Sequence, residues 1–397
     1  MCRLVLNTTG PHYFGDVQIN NEKVINMFTK LKVIALLLIG ICHAWGDVKT
    51  LEIGDSAPDF SLIGIDDQYY SLDSFSDADV LVMIFTANHC PTAQAYEGRI
   101  IKLVDDYKDE GVAIVGISSN HPAALRLDEY GYTDLGDSYD DMKKRAEDMN
   151  YNFPYLYDGD KQEVAKAYGP IATPQVFIFN KERKLRFVGR IDDGENPAKV
   201  TTHDTRNAIN ALLAGEKVPV EKTKAFGCSI KWADKVESAQ RTLEKMNAEP
   251  VEVAMIDIAG IEDLMSNKTE NVRLINFWAT WCVPCIAEFP ELIEINRNYR
   301  KRKFEMVTVS LDNPDRGDKV LEFLKQTYAS TKNFQYELDD IYDLIEAVDE
   351  EWPGSLPYTL IVKPGGEILY KKLGAMDPAE VRKVIIDFLG RYWEHLY

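Results

Sequence analysis

Cys282 and Cys285, in Trp281-Cys-Val-Pro-Cys285, stand three residues apart where an apolar run gives way to helical spacing. A thiol at a helix N-terminus meets backbone N–H groups that have no intrahelical partner, together with the positive end of the helix dipole. Both favour thiolate over thiol, and the thiolate is the nucleophile. A second thiol one turn along can close a disulfide with the first. Such a pair attacks a disulfide, holds the mixed disulfide and resolves it. Cys282 is expected to be the exposed nucleophile and Cys285 the more buried resolving thiol. Pro284 belongs in the first helical turn, where its missing N–H would have no partner anyway. Half a zinc site would need a second Cys or His pair at ligand spacing. This half has none, its nearest histidine being His395 at the tail. A c-type haem would need histidine where Ile286 stands. An inert structural disulfide stays open, and no metal or cofactor is expected.

Cys90, in Asn88-His-Cys-Pro-Thr-Ala93, occupies the same kind of junction, with Pro91 placed as the first helical residue. Ala93 stands where a second cysteine would complete the motif. A single thiol there can form a sulfenic acid with peroxide, or a disulfide with a distant thiol. Cys228, in Phe226-Gly-Cys-Ser-Ile-Lys-Trp232, is the candidate for that distant thiol: a resolving cysteine or an inert buried one. His89 would stabilise a thiolate if its ring turned toward Cys90; a satisfied loop histidine is the expectation.

The elements that must carry these residues form two similar runs. In the first, Val80–Thr86 is a continuous apolar strand, followed by a helix over Ala95–Asp106 and a strand over Gly111–Ser118. Helices at Tyr139–Met149 and Lys161–Tyr168 precede a hairpin of Pro174–Phe179 and Leu185–Ile191. In the second, strand Arg273–Ala279 leads to helix Ala287–Tyr299, strand Glu305–Leu311 and helix Lys319–Tyr328. A hairpin of Pro357–Val362 and Ile368–Lys371 turns over Pro364-Gly365-Gly366, and Ala379–Leu389 is the closing helix. Alternating βαβ units, a hairpin and a last helix predict an α/β chain with two mixed sheets, each covered on both faces. Both cysteine motifs lie at carboxyl ends of central strands, the edge where open α/β sheets collect ligand chemistry.

Phe277-Trp-Ala-Thr-Trp-Cys-Val-Pro-Cys285, with Glu288 and Pro290, fits the pattern W-C-x-P-C-x-x-E-x-P at every fixed position. Over roughly Val251 to Leu389 the chain thus resembles the thioredoxin superfamily, specifically the TlpA/ResA-type thiol-disulfide interchange proteins of bacterial envelopes. The resemblance implies that Leu356-Pro357 is a cis-proline loop facing the cysteines, with Leu356 offering its backbone to an incoming peptide. Asn276 stands where cytoplasmic thioredoxins place a buried Asp. Glu288, one turn beyond Cys285, is then the candidate for moving that thiol's proton. Ala57-Pro-Asp-Phe-Ser-Leu62, Cys90 and Tyr168-Gly-Pro-Ile-Ala-Thr-Pro-Gln-Val-Phe177 resemble the redoxin branch, of alkyl hydroperoxide reductase and peroxiredoxin type. Thr173-Pro174 would be its cis-proline. The peroxiredoxin pattern P-x-x-x-T-x-x-C is not kept, because Met83 and Ala87 occupy its two fixed places before the cysteine. Two tandem thioredoxin-like domains are the fold this implies.

Acidic residues outnumber basic ones by 64 to 45, a net charge of −19 in 397 residues. Nucleic acid needs a basic face, and so does an anionic membrane surface, so neither is an expected partner. A composition 45% hydrophobic and 27% charged is globular, and six cysteines are too few for a disulfide scaffold. Lys30 and Lys32, the uncharged run Val33–Cys42 and Ala44-Trp45-Gly46 have the order of a secretory signal peptide. The run is too short to span a bilayer, which takes about 20 apolar residues. Cleavage is expected after Gly46, with Met27 as the start. The mature protein would be periplasmic or extracellular, without a membrane span and without Cys2 and Cys42.

The expected organisation is residues 1–46 as tail and signal, 47–214 as a redoxin-like domain, 215–240 as connector and 241–397 as a TlpA-type domain. The expected function is disulfide exchange with protein thiol and disulfide clients, fed by an upstream electron donor. Two readings of the first domain stay open: a thiol peroxidase at Cys90, or a non-catalytic module that presents clients.

Overall fold

The structure is a computed structural model that describes residues 48–337 and 340–392. Met27, the Val33–Cys42 run, the step after Gly46 and His395 lie outside the described residues, and so do Cys2 and Cys42. No helix among the described residues is long and apolar enough to cross a membrane.

The first sheet grows around β3 (Val80–Thr86), whose seven residues are all buried, as its unbroken apolar character requires. Parallel to it runs β4 (Val112–Ser118), and beyond that β5 (Tyr155–Tyr157). On the other side β6 (Gln175–Phe179) and β7 (Leu185–Gly189) pair antiparallel. Two short strands, β1 (Leu62–Gly64) and β2 (Tyr69–Tyr70), extend the sheet to the order β2-β1-β5-β4-β3-β6-β7. Helices α1 (Pro91–Tyr107), α2 (Tyr139–Met149), α3 (Glu163–Tyr168) and α4 (Asp204–Leu213) accompany it. Apolar clusters fill both faces, one holding Val82, Ile84 and Ile178, the other Leu81, Met83 and Phe177.

The second sheet has six strands, and β9 (Val272–Trp278) takes the place of β3. Parallel neighbours β10 (Phe304–Ser310), β11 (Lys332–Tyr336) and β8 (Ala254–Ile256) lie to one side. The antiparallel hairpin β12 (Tyr358–Val362) and β13 (Ile368–Leu373) lies to the other. Its helices are α6 (Ile258–Ser266), α7 (Val283–Tyr299), α8 (Gly317–Gln326), α9 (Ile341–Val348) and α10 (Pro378–Leu389). Helix α7 starts four residues earlier than the apolar spacing predicts and runs through Pro290. Cys282, in extended conformation, caps it, and Pro284 fits its first turn.

Residues between the sheets are stitched to the first one. Val188 donates its N–H to Glu221 O at 2.9 Å, and Thr223 returns one to Val188 O at 3.1 Å. Helix α5 (Val236–Asn247) follows. Both sheets belong to one packed unit. Tyr299, on α7, donates its hydroxyl to Thr133 O at 2.9 Å, and Arg302 reaches Gly131 O at 2.9 Å.

Candidate active site

Cys282 and Cys285 are joined in a disulfide, with their Cα atoms 5.3 Å apart. Cys285 has no exposed surface and Cys282 only 4%. The order of burial is the expected one, but Cys282 is not an exposed residue: it packs into the apolar cluster that also holds Cys285 and Phe289. Exposure falls on its neighbours instead, Trp281 at 63% and Val283 at 79%. These apolar side chains surround the rim of the disulfide rather than the core.

Leu356-Pro357 is a cis peptide, and Leu356 packs half-buried against the same cluster as the two cysteines. Among the described residues the main chain of Leu356 has no hydrogen-bond partner. Glu288, one turn after Cys285, is buried beneath the pair. Its carboxylate accepts from Asn276 Nδ2 at 3.0 Å and from the Met376 N–H at 2.9 Å. Burial pushes its pKa up, and these two donors pull against that without reversing it. Asn276 also donates to Thr359 Oγ1 at 3.0 Å, while its buried Oδ1 finds no partner.

The first sheet builds a second junction from Cys90, Thr173, Pro174 and Cys228. Cys90 caps α1 in extended conformation, accepts the Ala93 N–H on its sulfur at 3.4 Å, and donates to Thr173 O at 3.2 Å. Thr173-Pro174 is cis. Unlike Leu356, Thr173 has a backbone partner. Its N–H donates to Cys228 O at 2.9 Å, and the Cys228 N–H donates to Thr173 O at 3.2 Å. Cys90 and Cys228 are both unbonded thiols, packed together with Ala87 and Ala93. Burial alone would raise the Cys90 pKa. The hydrogen bond from Cys228, the charge of His89 and the Ala93 N–H bring it down to about 6. The same hydrogen bond, together with burial, drives the Cys228 pKa far up. Cys90 is therefore the more acidic of the two thiols.

His89 is the satisfied histidine the sequence suggested. Its Nδ1 lies 2.5 Å from Asp137 Oδ2, both side chains almost fully buried. Asp137 also accepts the backbone N–H groups of Asn88 at 2.8 Å and His89 at 3.1 Å, and Asn120 Nδ2 at 2.8 Å. Neither Asp137 nor Asn120 was foreseen. They come from loops distant in sequence and belong to no motif.

Residues 53–188 match the model of the AhpC/TSA family, and residues 262–385 that of the Redoxin family. The chain is a tandem of two thioredoxin-like domains. Among curated relatives, it is 33% identical to the thiol-disulfide oxidoreductase ResA of Oceanobacillus iheyensis over 24% of this chain and 45% of that protein. It is 27% identical to the sporulation thiol-disulfide oxidoreductase A of Bacillus subtilis over 36% of this chain and 84% of the relative. The chain thus spans under half of the first relative's length and most of the second's. A solved hypothetical protein of Sinorhizobium meliloti is 32% identical with a TM-score of 0.42, covering 47% of this chain and 97% of that one.

Proposed function

We propose that this thiol-disulfide oxidoreductase of the ResA type exchanges disulfides with exported protein clients through Cys282 and Cys285. The observation that carries the reading is the Cys282–Cys285 disulfide capping α7 beside the unpartnered main chain of Leu356. A client segment pairs with Leu356 as an added strand would, and Trp281 and Val283 give it apolar contact. In the reduced form the Cys282 thiolate attacks a client sulfur, a mixed disulfide forms, and the first client thiolate leaves. Cys285 then passes its proton to Glu288 and attacks Cys282 Sγ, releasing the second client thiolate. The client disulfide gains two electrons, and the protein pair loses two. Glu288 suits the task because burial raises its pKa toward neutrality. The basic, apolar and small-residue order of residues 30–46 supports an exported protein, re-reduced by an upstream donor.

Cys285→Ser should trap clients as mixed disulfides on Cys282, and Cys282→Ser should abolish insulin reduction. Normal turnover by Cys285→Ser would overturn this assignment of roles.

A further inference from the structure

In the two domains the residue before the cis-proline meets different fates. Leu356 is open, whereas Thr173 is paired through both its N–H and its C=O with Cys228, a residue of the same chain. The segment around Cys228 therefore lies along the first domain's loop as a short antiparallel strand. Gly227 shows how closely it lies there: with φ +138°, a Cβ on this residue would come 2.0 Å from Thr173 O. The segment is also held just beyond this contact, at Lys231. Lys231 N–H donates to Asn120 Oδ1 at 2.8 Å, and the His121 N–H donates to Lys231 O at 2.8 Å. The pairing sets Cys228 beside Cys90, whose thiol donates to the same Thr173 carbonyl.

We propose that Cys90 and Cys228 form a second, reversible thiol–disulfide site, in which residues 226–230 act as an internal client and small-molecule disulfides are the external substrate. Cys90 has no exposed surface, so the docked segment shuts out a protein client. A low-molecular-weight disulfide RSSR reaches Cys90 when the segment lifts. The Cys90 thiolate attacks one sulfur of RSSR, giving Cys90–S–S–R and RS⁻. That RS⁻ takes the proton of the Cys228 thiol, and the Cys228 thiolate attacks Cys90 Sγ. The Cys90–Cys228 disulfide forms and a second RS⁻ leaves. Two protein sulfurs are oxidised, one RSSR is reduced, and the proton ends on one of the two released thiols. The disulfide fastens the segment covalently to the loop, and excess small thiol reverses it. The depressed pKa of Cys90 and the raised one of Cys228 agree with the order of attack.

The test uses the full chain carrying Cys282→Ser and Cys285→Ser, so that its outcome is independent of the C-V-P-C centre. The protein is equilibrated with glutathione and glutathione disulfide at graded ratios, quenched in acid and mapped without reduction. The expected result is a monomer in which a peptide bearing Cys90 is linked to one bearing Cys228, the two thiols being lost together. The same map on the unsubstituted chain reads the pair without the double substitution. Cys228→Ser should instead accumulate glutathione on Cys90. Two free thiols at every ratio, or separate glutathione adducts on both residues, would overturn the proposal. Gly227→Val should undock the segment and speed labelling of Cys90 by a small maleimide at least about tenfold, because opening limits access to a buried group. An unchanged labelling rate would overturn the docking itself.

Discussion

Asp137→Asn isolates what holds the strand-to-helix junction of the first domain. The Asp137 carboxylate is fully buried and receives four hydrogen bonds, from Asn88 N–H, His89 N–H, His89 Nδ1 and Asn120 Nδ2. Asn keeps the shape but loses the charge, and turns an amide N–H₂ toward donors. Breaking a buried, hydrogen-bonded charge pair from one side costs about 3–5 kcal/mol. The pH dependence gives the sharper test. Burial opposes the charged form of Asp137, but His89 and the donors outweigh it and hold its pKa below the ordinary range. That contribution is present above the unfolded value, about 3.9, and is lost as pH falls through the lower folded value. Burial likewise opposes charged His89, and Asp137 outweighs it and raises the pKa. Its contribution is full below the unfolded value, about 6.5, and fades as pH rises through the folded one. Both are complete between about pH 4 and 6.5, so the variant should lose most there and less at pH 8.5. Native-state hydrogen exchange of peptides spanning Thr86–Gln94, at both pH values, reads the loss locally. A loss under about 1 kcal/mol, the level of an exposed ion pair, with an unchanged pH profile would refute the reasoning.

Glu288→Gln should slow insulin reduction by about 10²-fold or more, in the range of general acid–base catalysis. In the wild type the raised pKa of Glu288 makes stability fall as pH rises from the ordinary carboxylate value to the raised one, and the variant should lose that slope. Wild-type rates and an unchanged stability–pH curve would remove Glu288 from the mechanism. Cys228→Ala withdraws the S–H donor, so the pH midpoint of Cys90 alkylation should rise from about 6; an unchanged midpoint would contradict it. Glu97→Gln strands Arg145, paired to it with both side chains at most 4% exposed, and should lower stability by about 3–5 kcal/mol; thermal unfolding with an unshifted midpoint would contradict it.

The central strands were legible because burial on both faces makes β3 almost wholly apolar and leaves β9 apolar but for Arg273 and Asn276. Helix α2 was found at its observed bounds, Tyr139–Met149, because Ser138 caps it with a full capping box. Strands β1, β2, β5 and β8 run two or three residues, too short for a period to show. Strand β11 was hidden differently. Asn333 and Gln335 are buried in it, each satisfied by backbone carbonyls that no local pattern announces. Cys90, Cys282, Pro91 and Pro284 were legible because helix-cap chemistry is local, whereas Pro174 and Pro357 were expected only from the family resemblance. Asp137 was not, since it caps a junction 49 residues earlier in the chain, and such a contact exists only after folding.

The two junctions place the second thiol by different physics, and that decides what can disturb each. In the second domain Cys285 lies one turn along the same helix as Cys282, so the geometry of the pair is fixed by α7 itself. In the first, Ala93 fills that place and Cys228 reaches Cys90 through two backbone hydrogen bonds to Thr173. Such short pairing opens far more readily than a helix turn packed in a core. A change in the segment between the sheets should therefore alter the reactivity of Cys90 and leave that of Cys282 untouched. Gly227→Val makes the comparison within one molecule. Faster labelling of Cys90 with an unchanged rate of insulin reduction would separate the sites. A parallel fall in insulin reduction would mean that the segment serves both.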